Sequence, residues 1–502
     1  MKDKILVLDY GTTSLKAALY DKDFNALSVK SFEFTYDYPA PGFIEYDAET
    51  YITAAYKLFS EIIAEHKCGS EIAAVTVTGQ AETLIPVDKD GNVLGKAIVW
   101  TDTRPGEEIE YLSKHISPEE YYSVTGISGL DPVIPLAKIM WIKKNQPQRY
   151  ENTHKFLMLH DFVIWKLSGV MTAEISVYAC SGYVDIRKKE YSRKFLDIAG
   201  IDIDKLPTLS DPDLILGDLL PEACEAMGVE GAVVVNGMLD QCASAIGAGN
   251  IIPGVVCETT GTVLAIAATL PDFCPENFPS PVIVLPHGLS GRYLALPYCP
   301  TAGMLLKWYK DAFLAKDIDL CKEQGKDIYV YINEKIEEKG APISELIALP
   351  HFNGYLSPIS NPDAKGVLYG LSLDTDRFDV AHAIMEGISF LLRENVELLQ
   401  KSGINADRII SLGGGAKSPL WLKMKADICN AKIVTMKNEE STSLGAALGA
   451  ALAIGLLESE DEIYKYVAIK SEYNSTHDRQ QQYQAKYEKY LDLNRRLGFW
   501  GN

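Results

Sequence analysis

Two spacings of apolar residues alternate along the chain. Unbroken runs of four apolar positions read as buried strands, as in KILVLDY (4–10), IAAVTVTGQ (72–80), AIVWTDTRP (97–105) and AVVVNGMLD (232–240). Runs with helical spacing lie between them. Residues 47–66 place Tyr51, Leu58 and Ile62 on one face. A long helix is predicted over 378–400 and a final one over 478–497. The final stripe carries Tyr483, Tyr487, Tyr490 and Leu497, with Asn494 interrupting it. Strands that alternate with helices predict an α/β chain.

The strands end in an unusual way. Each of the last three runs above passes abruptly from apolar to polar residues: Gln80, then Trp100 with Asp102 and Arg104, then Asp240. Ligands of open α/β sheets collect at such carboxyl ends. KILVLDY and SLKAALYD, joined by Gly11-Thr12-Thr13, form a predicted hairpin. Near residue 250 the design recurs, since GVVCETTGTVLAIAAT is again strand, Thr-Gly-Thr turn, strand. An internal structural duplication follows, with a boundary between 249 and 250 and two domains, 1–249 and 250–502. A length of 502 residues agrees with more than one core.

Composition narrows the function. A net charge of -20 argues against a duplex nucleic-acid partner, which needs clustered Lys and Arg. It does not exclude a nucleotide, which backbone amides and a metal can bind. The N-terminal apolar run is too short for a signal peptide and is broken by Asp9, and no segment reaches membrane-spanning length. Nine scattered cysteines without a CxxC suit reduced thiols in a cytoplasm. Eight histidines without an HExxH pair argue against a zinc site.

Each motif has a plain and a chemical reading. Gly11, Thr12 and Thr13 make either a simple hairpin turn or a phosphate loop of amides and hydroxyls, with Asp9 facing a metal on the phosphate oxygens. Thr260, Gly261 and Thr262 repeat that choice. Gly413, Gly414, Gly415 and Ala416 make either a strand-to-helix connection or a surface for a flat ligand. The P-loop spacing is absent there. Asp240 is either a helix N-cap or a general base. Trp100, Asp102 and Arg104 are core and a surface ion pair, or, with Gln80 and Glu82, a polyol pocket.

Taken together, LDYGTTSLKAALYD, GFIEYD, NGMLDQCASAIGAG, ETTGTV, SLGGGAKSPLW and STSLGAALGAALAIG resemble the FGGY carbohydrate kinases, the family of xylulokinase and glycerol kinase, in order and over nearly the whole chain. The resemblance implies two ribonuclease H-like (actin/hexokinase-like) α/β domains flanking an ATP/sugar cleft. It implies Asp240 as general base and Asp9 at Mg2+. Gly11, Thr12, Thr13, Thr260, Gly261, Thr262, Gly414, Gly415 and Ala416 would hold ATP. Gln80, Glu82, Trp100, Asp102, Arg104 and Gln241 would hold the acceptor. It allows a homodimer. Ala81-Glu82 replaces the Met-His pair usual in xylulokinases, while Glu82, Thr83, Trp100, Asp102, Arg104 and the pair Asp240-Gln241 lean toward glycerol kinases, whose preceding Arg is missing here. The second half reads as xylulokinase, although its usual Gly-Glu-Arg-x-Pro is Gly354-Tyr355-Leu356-Ser357-Pro358. A ketopentose such as xylulose is the expected acceptor, with glycerol or another polyol as the alternative. The rival classes are an actin- or chaperone-like ATPase and a degenerate, regulatory kinase.

Overall fold

The computed structural model describes residues 2–278, 282–340, 343, 345–438 and 440–499. Its framework is two mixed sheets. In the first, β1 (Lys4–Tyr10), β2 (Ser14–Tyr20) and β3 (Ala26–Glu33) run antiparallel. β4 (Ile72–Gly79) lies parallel to β1, and β6 (Val233–Leu239) lies parallel to β4. β5 (Ile215–Asp218) closes the edge, giving the order β5-β6-β4-β1-β2-β3. The second sheet uses β7 (Val255–Thr260), β8 (Leu264–Leu270), β9 (Ile283–Pro286), β10 (Tyr293–Leu296), β11 (Arg408–Leu412), β12 (Lys432–Met436) and β13 (Ile469–Tyr473). Its order is β9-β10-β8-β7-β11-β12-β13. The hairpin β7-β8 occupies the place of β1-β2, and β11 and β12 follow in parallel as β4 and β6 do. The duplication expected near residue 250 is thus a duplication of topology.

The helices used below are α1 (Ala48–His66), α2 (Pro135–Asn145), α3 (Asp240–Gly247), α4 (Gly303–Phe313), α5 (Arg377–Lys401), α6 (Pro419–Cys429), α7 (Ser441–Ala453) and α8 (His477–Arg496). The amphipathic faces bury as the spacing predicts, for example Tyr51, Leu58 and Ile62 of α1. Two expectations are corrected. AIVWTDTRP is not a strand of a main sheet. Only Ala97–Ile98 is extended, in a small antiparallel sheet with Glu45–Tyr46, Leu84–Val87 and Lys155–Met158. On α8, Leu497 lies past the last helical turn and is 44% exposed. Asn494 is fully buried instead, because its side-chain oxygen meets His351 Nε2 at 2.9 Å.

The two halves meet along α3 and α7, and α7 also packs on β1, β4 and β6 of the first sheet. A Cβ on Gly445 would lie 1.8 Å from the carbonyl oxygen of Ala243, and one on Gly247 would lie 1.9 Å from that of Ser441. Only glycine permits this backbone-to-backbone crossing. Ser244 and Ser441 hydroxyls meet at 3.1 Å beside it, and Tyr20 and Ser443 hydroxyls at 2.7 Å.

Candidate active site

The ends of β1 and β6 place Asp9 and Asp240 beside this crossing. Asp9, near the end of β1, is half-buried. Desolvation raises its carboxyl to about 6, Lys16 opposing and Glu440 adding to the rise. Asp240 is the first residue of α3, so it is not the N-cap; Leu239 holds that position. Its carboxyl is raised to about 7, first by desolvation and then by the charge of Asp9, with Gln241 opposing. The two carboxylates therefore share one electrostatic neighbourhood. A strand-end carboxyl poised near neutrality has the proton affinity a general base needs. Gln241 beside it is exposed.

The first turn is open. Thr12 and Thr13 are exposed, Gly11 N–H donates to Ser14 O at 2.9 Å, and Tyr36 braces the turn by donating to Thr12 O at 2.5 Å. The second turn has a buried foundation. The Thr260 hydroxyl donates to Glu258 at 2.6 Å, and the Lys425 ammonium donates to Glu258 at 2.6 Å and to Thr260 Oγ1 at 2.8 Å. Ser411 donates to the same carboxylate. Glu258 and Lys425 side chains are both fully buried. Thr260's hydroxyl is thus committed inward, and Gly261 with exposed Thr262 forms the accessible face. A Cβ on Gly261 would meet nothing within 4 Å. Gly413 and Gly415 press on Thr259 and Thr260 from one side, and Gly303 presses on the Gly261 carbonyl from another. Gly414 and Ala416 lie in the short 3-10 turn between β11 and α6. One face of α4 carries Met304, Lys307, Trp308, Asp311 and Ala312 around a shallow, open depression. Sequence reading did not single out these five. Their signal is Trp308, an aromatic left 44% exposed on a helix that starts against the Thr-Gly-Thr turn.

The residues expected to hold the acceptor sit where β4 ends. Gln80 is tied to the first turn, its backbone N–H on Tyr10 O at 2.8 Å and its amide on Gly11 O at 3.4 Å. Thr83 Oγ1 donates to Gln80 Oε1 at 3.1 Å and accepts the Trp100 N–H at 3.0 Å. Glu82 has φ +68°, a left-handed conformation unusual for a non-glycine residue and concentrated at functional sites. Burial raises its carboxyl, against the pull of Lys138. Among the described residues the buried indole N–H of Trp100 has no hydrogen-bond partner. Asp102 and Arg104 behave differently from a surface pair and from free polyol contacts. The Arg104 guanidinium donates to both Asp102 oxygens at 2.7–3.0 Å and to Glu45 at 3.0 Å. It packs against Phe43 and Trp141, 4.1 and 4.9 Å from their ring centres, the two rings meeting edge to face at 5.6 Å. Asp102 also accepts Ile44 N–H at 2.6 Å. The pair fastens the GFIEYD segment to the wall of the site.

Among the described residues no group of three or more His, Cys, Asp or Glu is placed to hold a metal ion. Magnesium does not require one, since one or two carboxylates plus phosphate oxygens and water suffice. Asp9, with a proton affinity raised by burial, fits such a ligand. Among the described residues no helix is long and apolar enough to cross a membrane.

The chain is similar to known proteins over nearly all its length. It is 26% identical to the xylulose kinase of Bacillus subtilis, across 91% of this chain and 90% of that one. It is 28% identical to the glycerol kinase of Saccharolobus islandicus, across 93% and 92%. Among solved structures, the xylulose kinase of Rhodospirillum rubrum superposes with a TM-score of 0.89 at 23% identity, covering 98% of this chain and 99% of that one. The N-terminal domain model of the FGGY family of carbohydrate kinases matches residues 4–247 and the C-terminal model residues 255–454. The chain belongs to the FGGY family of carbohydrate kinases, enzymes that transfer a phosphoryl group from ATP to a sugar.

Proposed function

We propose that this kinase phosphorylates a small sugar, a ketopentose such as xylulose, at the crossing of its two halves, and that the halves divide at residues 249 and 250. The observation that carries the reading is Asp240: a strand-end carboxyl raised to about 7 beside Asp9, on the helix that joins the half with the acceptor-side tips to the half with the Thr-Gly-Thr turn.

In this reading Asp240 accepts the proton of the acceptor hydroxyl. That oxygen forms its bond to the γ-phosphorus as the bond from phosphorus to the ADP oxygen breaks. Gly11, Thr12, Thr13, Gly261 and Thr262 donate to phosphate oxygens, while Thr260 shapes its turn from within. Gly414, Gly415 and Ala416 back the nucleoside, and α4 starts against the neighbouring Thr-Gly-Thr turn. Asp9 would hold Mg2+, which supplies charge neutralisation of the phosphates. Gln80, Glu82, Trp100 and Gln241 orient the acceptor, and Asp102 with Arg104 fix the wall behind them. Reduced thiols and an acidic surface suit a cytoplasmic enzyme.

A polyol acceptor is the second reading, favoured by Glu82 and by the similarity to a glycerol kinase. An ADP-coupled assay across ketopentoses, ketohexoses, glycerol and tetritols decides between them. Asp240→Ala should lower turnover about 10²–10⁴-fold and leave ADP affinity nearly unchanged. Wild-type-like turnover in that variant would remove Asp240 from the mechanism. Slow hydrolysis with no acceptor preference would point to a regulatory protein.

A further inference from the structure

Lys138 lies on α2 and is wholly buried. Its ammonium donates to three main-chain carbonyls: Glu82 at 2.9 Å, Val99 at 3.0 Å and Trp100 at 3.2 Å. An ammonium has three donors, so its capacity is filled by backbone alone. Burying a cation away from any directly bonded carboxylate is expensive. An apolar residue on the same helix face would fill the space but would leave the Glu82 and Trp100 carbonyls without this donor, so the work of the cation is to hold those carbonyls. What the cation does reach is specific. It spans the two chain segments that carry Glu82, in its left-handed conformation, and Trp100, with its unpartnered indole N–H. Thr83 joins the same segments from the other side and ties them to Gln80 and so to Gly11.

We infer that Lys138 is a positioning residue of the acceptor site: it sets the spacing between Glu82 and Trp100, and with it the affinity for the acceptor and the choice among acceptors. It touches no reacting atom and acts through the carbonyls it holds. The inference rests on the acceptor site proposed above.

Lys138→Met keeps most of the length and loses all three donors. Its acceptor KM should rise about 10-fold or more, and its discrimination between a ketopentose and glycerol should shrink. The Kd for ADP should stay within about twofold, because the nucleotide turns are on other elements. Thr83→Val, which removes the other tie between the segments and leaves the Trp100 N–H without its acceptor, should shift acceptor KM in the same direction by less. It reports even where Lys138→Met fails to fold. Hydrogen exchange at the Thr83 and Trp100 amides, measured without any acceptor, should speed up in Lys138→Met while α8 stays protected. Unchanged acceptor KM in both variants, unchanged amide exchange, or a parallel loss of ADP affinity would each overturn the inference. A wild type inactive on every acceptor would instead sink the proposed function, and the amide exchange would still judge Lys138.

Discussion

At the scale of single residues, burial is the largest influence on the raised carboxyls Asp9, Glu82 and Asp240. Glu394 of α5 shows it away from the active site. It is 3% exposed and accepts from Tyr355 OH at 2.9 Å and Tyr490 OH at 3.3 Å, while its other oxygen finds no partner. Desolvation raises it to about 8 despite both tyrosines. The folded chain therefore holds this proton more tightly than the unfolded chain does. Its contribution to stability is full below the unfolded value near 4.5 and is lost as pH rises toward and through about 8. Glu394→Gln cannot ionise, so it should equal or trail the wild type in thermal unfolding at pH 5 and exceed it at pH 9. A gain on the order of 2–4 °C per kcal/mol is expected for a unit of this size. A melting difference that does not change between the two pH values would exclude a buried neutral carboxyl. The limits of sequence reading also lie at this scale. Asp9 and Asp240 are legible because a carboxylate at the end of an apolar run contradicts its surroundings. Lys138 and Lys425 carry a fainter version of that signal. Lys138 shares a helical face with Ile134, Trp141 and Ile142, and Lys425 with Trp421, Leu422 and Ile428. Nothing local gives their partners. Asp102 and Arg104 turn toward each other because Phe43 and Trp141 enclose the guanidinium, and those rings come from distant segments.

At the scale of elements, hairpins and long amphipathic helices follow from local chemistry, and helix crossings do not. STSLGAALGAALAIG announces a small-residue helix, yet its partner α3 lies almost 200 residues earlier in the chain. The crossing makes a prediction whose sign is diagnostic. In an ordinary helix interior, Gly→Ala gains about 1 kcal/mol. At Gly445 the added methyl would stand 1.8 Å from Ala243 O, an immovable backbone atom, so the helices must part. Gly445→Ala should destabilise by about 1–3 kcal/mol, the usual range for overpacking, and should lower turnover as well. One turn further on, a Cβ on Gly449 would approach only the flexible end of Met238, at 2.7 Å. Gly449→Ala should therefore be tolerated far better. Calorimetry on both variants checks the contrast, and equal melting temperatures would mean that the crossing is loose.

At the scale of the whole molecule, the proposed site is divided between two similar sheets. One would contribute Asp9, Asp240 and the tips around Gln80 and Trp100, and the other the Thr-Gly-Thr turn and the glycine loop. In that reading neither half has both the base and the second phosphate turn. Contacts between the halves concentrate at α3 and α7, supported by the Lys16–Glu440 ion pair at 2.8 Å, whose partners are 40% and 44% exposed. An exposed pair of this kind contributes roughly 0–1 kcal/mol, so the glycine crossing rather than the ion pair must hold the halves in register. Such an arrangement can close on its substrates about a fixed crossing, and closure has a kinetic consequence. Water is present at high concentration and is as capable of attacking the γ-phosphorus as a sugar hydroxyl. A site assembled only when the acceptor fills the first half denies water that position. ATP hydrolysis without acceptor should then run at least about 100-fold slower than phosphoryl transfer to the preferred sugar. An acceptor analogue that lacks the reactive hydroxyl should raise the hydrolysis rate above that floor, because it closes the halves without consuming the phosphoryl group. Both rates come from ADP release under the same conditions. If hydrolysis without acceptor matches transfer, the two halves are already in their reactive arrangement, and selectivity for sugar over water must come from Asp240 and the acceptor-side tips alone.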